Sequence, residues 1–115
     1  MMKQIEAFVQ SDKLRAVVDA IEKKKVGGIS VIQARGRGKG HRPEVGGERG
    51  TSRHTAEYAS LDEVLVVVED ADADAVETAI LNAASTGSKG DGKIFVTPVE
   101  KAIDIGTKST GESAL

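Results

Sequence analysis

Two hydrophobic periods follow each other along the first third of the chain. Apolar and polar residues alternate over Lys3–Val9, which predicts a strand with one buried face. Apolar residues then recur every three to four positions, which predicts a helix whose apolar face is formed by Leu14, Val17, Val18 and Ile21. We expect Ser11 or Asp12 to cap the start of this helix and Gly27 its end. A β-rich run over Ile29–Ala34 predicts the second strand.

The hydrophobic pattern stops after this second strand and returns only near residue 62. Residues 36–60 show no usable period, and a segment of that length inside a compact domain is usually functional or disordered. Beyond it we expect a strand over Asp62–Glu69 and a helix to about residue 85, with Asp70, Asp72 and Asp74 as candidate caps. A strand over Lys93–Val99 and a short fifth strand over Ala102–Ile105 complete the prediction.

The order of the predicted elements is strand–helix–strand, long loop, strand–helix–strand. Two such units of similar length predict an α+β fold, a ferredoxin-like βαβ-βαβ sandwich with both helices on one face of the sheet. The run Val64–Val68 reads as a strand that is covered on both faces. We therefore expect the second face of the sheet to meet another subunit.

Composition narrows the class of protein further. The chain has 115 residues, a net charge of −2 and no cysteine, which fits a single domain without disulfides or thiolate chemistry. With two histidines and no cysteine, the composition argues against a zinc cluster. No apolar run is long enough to cross a bilayer, so we expect a cytoplasmic protein with no membrane insertion. The segment from Arg35 to Arg53 nevertheless carries six basic residues against two acidic ones. This basic segment is the predicted effector region.

A glycine-rich turn between the second helix and the last long strand is the strongest local motif. It reads Thr-Gly-Ser-Lys-Gly-Asp-Gly-Lys over residues 86–93. Glycines bring backbone N–H groups together into an anion nest, Asp91 can pin the turn by accepting N–H bonds, and Lys93 adds a positive charge. The spacing is not that of a P-loop, and a strand follows in place of a helix. A phosphate site and a plain glycine-rich turn both fit these residues.

Residues 86–96, ending in Ile-Phe-Val, closely resemble the signature of the PII nitrogen-regulatory signalling proteins. Lys13-Leu14, the Gly28–Val31 segment and the pair Gly36 and Gly38 extend the resemblance over nearly the whole chain. It implies one PII-like domain over 1–115, with an effector T-loop over 36–60, a phosphate-binding B-loop over 86–93 and a C-terminal segment over 100–115. It also implies a homotrimer with adenine nucleotides, ADP, AMP or ATP, bound in clefts between subunits.

The resemblance assigns roles to particular residues. Phosphates would be held by the B-loop, and the T-loop base would approach the nucleotide through Gly36, Gly38 and Lys39. The hydroxyl of Ser30 and the backbone of Val67 would meet the adenine. The B-loop set is Thr86, Gly87, Gly90, Asp91, Gly92 and Lys93.

Several positions depart from the family pattern. Asp104 and Gly106 stand where the family has phosphate-binding arginines, and Lys101 and Lys108 are candidate replacements from the neighbouring subunit. A carboxylate near a triphosphate is repulsive, so we expect ADP or AMP to bind at least as well as ATP. Gly40 and Leu61 replace two residues that the family uses for Mg²⁺ and 2-oxoglutarate, which argues against those ligands here.

Two questions stay open at the sequence level. Ala56-Glu57-Tyr58 matches the context of a modified T-loop tyrosine, but counting back from the next strand puts His54 at that position. No catalytic constellation or metal site is predicted, so the first hypothesis is a non-enzymatic regulator, with any weak ATPase activity supported by Asp91 and Lys93 regarded as incidental. Its target would be a transporter or metabolic enzyme in nitrogen or carbon metabolism, and a transporter target would recruit it to a membrane. The alternative is an RNA-binding ferredoxin-like module; three aromatic residues offer no stacking platform and the net charge has the wrong sign for it.

Overall fold

The structure is a computed structural model that describes residues 1–37, 44–46, 53–55 and 59–115, with 44–46 and 53–55 described as backbone. The strands are β1 (Met2–Gln10), β2 (Ser30–Gly36), β3 (Glu44–Gly46), β4 (Arg53–Thr55), β5 (Ala59–Glu69) and β6 (Gly92–Val99). The helices are α1 (Leu14–Glu22) and α2 (Asp70–Ala84), with single 3₁₀ turns at Ser11–Lys13 and Gly111–Ala114.

Four of the strands form one antiparallel sheet in the order β2-β5-β1-β6. β1 runs down the middle, with Phe8 opposite Glu63 of β5 and opposite Lys93 of β6. The non-sequential order and the two crossing helices are those of the predicted ferredoxin-like α+β sandwich, which is confirmed. β3 and β4 pair with each other as a separate two-stranded ribbon.

The core lies between the helices and one face of the sheet. The alternation predicted for β1 is confirmed, since Ile5, Ala7 and Val9 are all buried. Of the apolar face predicted for α1, Val17 and Ile21 are buried, whereas Leu14 and Val18 keep intermediate exposure. Burial of a valine or isoleucine side chain is worth about 1.5–3 kcal/mol. The buried helical set is Val17 and Ile21 of α1 and Ala73, Val76, Ile80 and Ala84 of α2.

The second face of the sheet is only partly covered within a single chain. Val64, Val66 and Val68 of β5 are buried, whereas Leu65 and Val67 between them keep intermediate exposure. On β6, Phe95 is half-exposed. Within one chain this face therefore carries apolar surface in contact with solvent, as the expectation of a neighbouring subunit requires.

The ends of the elements differ from the predictions. Ser11 and Asp12 form the 3₁₀ turn before α1, and neither side chain caps the helix. α2 begins directly after β5 with no side-chain cap. α1 ends at Glu22, well before Gly27, where a Cβ would lie 2.7 Å from the backbone of Leu115, so close packing and not a helix end explains that glycine.

The predicted fifth strand is also wrong. Residues 102–105 form no strand, and only an isolated bridge joins Ile103 to Thr110. Gly111 donates its N–H to the carbonyl of Ala102 at 2.9 Å, so the C-terminal segment folds back on itself as a compact turn. In the described parts of the chain no helix is long and apolar enough to cross a membrane.

Candidate functional site

The turn over residues 86–92 joins the end of α2 to the start of β6 and is organised around the carboxylate of Asp91. That carboxylate accepts hydrogen bonds from the N–H of Thr86 at 2.6 Å, the hydroxyl of Thr86 at 2.5 Å and the N–H of Ser88 at 3.2 Å. The predicted pinning of the turn by Asp91 is therefore confirmed as a structural fact.

These hydrogen bonds change the chemistry expected of the turn. The hydroxyl of Thr86, followed by its N–H, lowers the pKa of Asp91 below its ordinary value, because each donor stabilises the ionised carboxylate. The negative charge of Asp91 thus occupies the first half of the predicted anion nest. A phosphate would have to approach the other half of the turn, around Gly90 and Lys93.

The second half of the turn is held against the sheet by a hydrogen bond from Gln10 and by the close approach of Gly92 to β1. The side-chain amide of Gln10, the last residue of β1, donates to the carbonyl oxygen of Gly90. Gly92 adopts φ +125°, and a Cβ there would lie 2.9 Å from the carbonyl carbon of Phe8. The turn can therefore approach β1 this closely only with glycine at position 92.

An open cleft of about 520 Å³ lies beside this turn, in the size range of small-molecule sites. Helix α2 contributes Glu77, Leu81 and Ser85 to its lining, and the sheet contributes Phe8 and residues of β6. Phe8 and Phe95 pack edge to face with ring centroids 6.3 Å apart. Among the described residues that line the cleft, Lys93 is the one cation. The full lining is Phe8, Val9, Glu77, Leu81, Ser85, Gly87, Ser88 and Asp91–Val96.

The other residues assigned by the resemblance lie apart from this cleft. Ser30 and Gly36 belong to β2, which is the opposite edge strand of the sheet from β6. Three strand spacings separate these edges, or about 14 Å. Val67 lies on β5, next to β2. One chain therefore presents the two halves of the predicted site on opposite edges of its sheet.

The C-terminal segment is also distant from the turn within one chain. β6 extends seven residues beyond Gly92, or roughly 23 Å, and Lys101 follows two residues after its end at Val99. Asp104 closes a tight turn, where its carboxylate accepts from the N–H of Thr107 at 2.9 Å and its carbonyl from the N–H of Lys108 at 2.8 Å. Hydrogen bonding from Thr107, chiefly its N–H, lowers the pKa of Asp104, so this carboxylate is negatively charged and held in its own turn.

Some predicted positions fall outside the described residues. These are Gly38, Lys39, Gly40 and Tyr58. No group of three or more metal-ligating side chains occurs within the ranges that the structure describes.

Two residues that shape the turn, Gln10 and Ser88, were not predicted from the sequence. Gln10 has no signal in a single sequence, because its partner Gly90 is 80 positions away and only the pairing of β1 with β6 brings them together. Ser88, whose hydroxyl accepts from the N–H of Gly90 at 3.3 Å, could have been found from the preference of serine for local turn bonds.

The sheet order and the turn define a ferredoxin-like domain with a glycine-rich turn, held by Asp91, at one sheet edge. The family model described as "Nitrogen regulatory protein P-II" matches residues 2–109, and the chain belongs to that family. It is 41% identical to the nitrogen regulatory protein P-II of Rhizobium meliloti (strain 1021) over 116 residues, covering 99% of this chain and 100% of the relative. The Azospirillum brasilense protein of the same name is 38% identical, with the same coverage. The nitrogen regulatory protein GlnK2 of Haloferax mediterranei is 37% identical over 114 residues, covering 99% of this chain and 91% of the relative.

Proposed function

We propose that this chain is a PII-type signalling protein that binds an adenine nucleotide at the edge of its sheet and thereby sets the conformation of its 36–60 loop. The observation that carries the proposal is the turn locked by Asp91, which holds Lys93 on the wall of a cleft large enough for a small ligand. Membership of the P-II family supports a regulatory role over an enzymatic one.

The described residues fit the phosphate end of a nucleotide. The ammonium of Lys93 supplies the positive charge, and Gly90 leaves room for backbone to approach a phosphate closely. Ser30 and Val67 are the candidates for the base, and they lie on the other edge of the sheet. The proposed site therefore takes one edge from each of two copies, in line with the homotrimer that the resemblance implies.

The C-terminal turn favours ligands with fewer phosphates. Asp104 is held ionised by Thr107 and offers no donor to a phosphate. Lys101 and Lys108 are the cations nearest to it in sequence, and we propose that they serve the cleft of a neighbouring copy. With a fixed carboxylate where the family has a cation, ADP or AMP is expected to bind at least as well as ATP, without 2-oxoglutarate or Mg²⁺.

Nucleotide occupancy would act on the partner through the long loop. β2 ends at Gly36, so a ligand that contacts this strand can bias the loop between conformers, and the loop then docks on a transporter or a metabolic enzyme. The excess of basic residues in the segment favours a target surface with acidic groups.

Calorimetry with AMP, ADP and ATP, each with and without Mg²⁺ and 2-oxoglutarate, tests the proposal. Lys93→Ala removes the cation on the cleft wall, and loss of a charge-assisted hydrogen bond of about 1.5–3 kcal/mol predicts an ADP affinity roughly 10- to 150-fold lower. Lys89→Ala is the matched control, because it removes a lysine of the same turn that does not line the cleft. Failure of the wild-type protein to bind any adenine nucleotide at millimolar concentration would refute the proposal.

A further inference from the structure

Gln10 occupies an unusual place in the geometry of the turn. It is the last residue of β1, is partly buried, and donates its side-chain amide to the carbonyl of Gly90 across 80 residues of sequence. A Cβ built on Gly90 would lie 3.6 Å from the same amide nitrogen, so the Gln10 side chain runs along the turn at this point.

The turn is held by two side chains that do different things. Asp91 binds Thr86 and Ser88 and therefore ties the turn to itself. Gln10 is the side chain that, in the described part of the structure, connects the Gly90 peptide to the sheet. Its bond fixes the plane of the Gly90–Asp91 peptide, three residues before Lys93.

The position of Gln10 is itself fixed by the strand on its other side. Gln10 is the cross-strand partner of Leu61 in β5, and a Cβ added at Gly36 would collide with the Leu61 side chain. The Gln10 side chain thus extends from the end of β1, where its backbone pairs with Leu61, and contacts the turn at Gly90.

We infer that Gln10 is a positioning residue of the ligand site: its hydrogen bond orients the Gly90 peptide so that this half of the turn and Lys93 face the phosphates together. The inference rests on the proposed nucleotide-binding function. Without the bond, the Gly90–Asp91 peptide keeps the 3.3 Å bond from the Asp91 N–H to the carbonyl of Ser88 but loses its connection to the sheet, while the half of the turn held by the Asp91 carboxylate stays formed.

The test compares Gln10→Met with the wild type as full-length proteins. Methionine has nearly the length of glutamine and no N–H to donate, and it leaves the charge beside the phosphates unchanged. With the net value of one hydrogen bond, Gln10→Met is expected to weaken ADP binding about three- to tenfold. Adenosine, which has no phosphate, should bind both proteins equally well.

A readout without ligand separates positioning from general stability. Amide exchange measured by NMR should become faster at Gly90 and Asp91 in Gln10→Met and stay unchanged at Thr86 and Ser88.

The outcomes separate the two proposals. If wild-type protein binds ADP and Gln10→Met binds it equally well, or if adenosine binding falls as much as ADP binding, the role of Gln10 is refuted and the proposed function stands. If the wild type binds no ADP, the proposed function fails and the role of Gln10 fails with it.

Discussion

Alanine substitutions at the three glycines of the 86–92 turn should affect stability in an order that follows from their geometry. Gly92 has φ +125°, and an alanine Cβ there would overlap the carbonyl oxygen of Phe8 and lie 2.9 Å from its carbonyl carbon. Both atoms are backbone of the central strand β1, so neither can move without disturbing its pairing with β6. Gly87 has φ +86° with open space around it, and Gly90 has only ordinary contacts.

The magnitudes follow from these differences. A non-glycine residue at a sparsely populated positive φ costs about 1–3 kcal/mol, and loss of a neighbouring ladder hydrogen bond adds about 0.5–1.5 kcal/mol. Gly92→Ala should therefore lower the free energy of unfolding by about 2–4 kcal/mol. Gly87→Ala has the conformational term alone, about 1–2 kcal/mol. Gly90→Ala should be neutral or stabilise by up to about 1 kcal/mol, because alanine restricts the unfolded chain.

Urea denaturation at fixed protein concentration measures this order directly. The midpoint should fall most for Gly92→Ala, less for Gly87→Ala and not at all for Gly90→Ala, at a constant m-value. A Gly90→Ala variant less stable than Gly87→Ala would refute the reasoning, because the turn would then have a different backbone. The stable variant is also the useful one, since it tests close approach of a ligand without unfolding the site.

Three further predictions concern charge and the core. Hydrogen bonds lower the pKa of Asp91, so its contribution to stability is present above the ordinary value of 3.8 and is lost as the pH falls through the lower folded-state value. NMR titration of the Thr86 amide should follow this loss, and Asp91→Asn should abolish it. Protonated Glu63 donates a side-chain hydrogen bond to Glu6, which raises the pKa of Glu63 above 4.5, so the pair favours folding below that pH and loses the advantage as the pH rises. Glu63→Gln should raise the urea midpoint at pH 7 relative to wild type, and the same increase at pH 4 would contradict this. Ile80→Ala, at a position 1% exposed, should cost about 2–5 kcal/mol in thermal or urea unfolding, against well under 1 kcal/mol for Leu81→Ala at 55% exposure.

The sequence predicted the architecture well because the fold depends on hydrophobic period. Alternation in β1 and the helical spacing of Val17 and Ile21 reflect burial, which the structure shows directly. Helix ends were less predictable, since Ser11 and Asp12 could have capped α1 but form a 3₁₀ turn. A cap is worth only about 1 kcal/mol, and tertiary packing easily outweighs it.

The candidate site was predictable only where its residues are neighbours in sequence. The bonds of Asp91 to Thr86 and Ser88 span five residues or fewer, and turn chemistry alone suggests them. The bond from Gln10 to Gly90 depends on strand pairing, which no local pattern encodes. The sequence pattern also predicted that the backbone N–H groups of the turn are available to a phosphate, whereas those of Thr86 and Ser88 donate to the carboxylate of Asp91.

The charge balance of the cleft connects ligand binding to assembly. Lys93 faces a lining that contains two carboxylates, Glu77 and Asp91, so the described part of one chain carries no excess positive charge there. A nucleotide polyphosphate needs more cations than this, and Lys101 lies at the far end of β6, where it cannot reach its own turn. On the proposed function, the missing cations must come from another copy, and Ser30 on the opposite sheet edge requires the same arrangement. Affinity for ADP should therefore fall together with the assembled fraction when the protein is diluted, because a separated chain keeps only Lys93 and one half of the site.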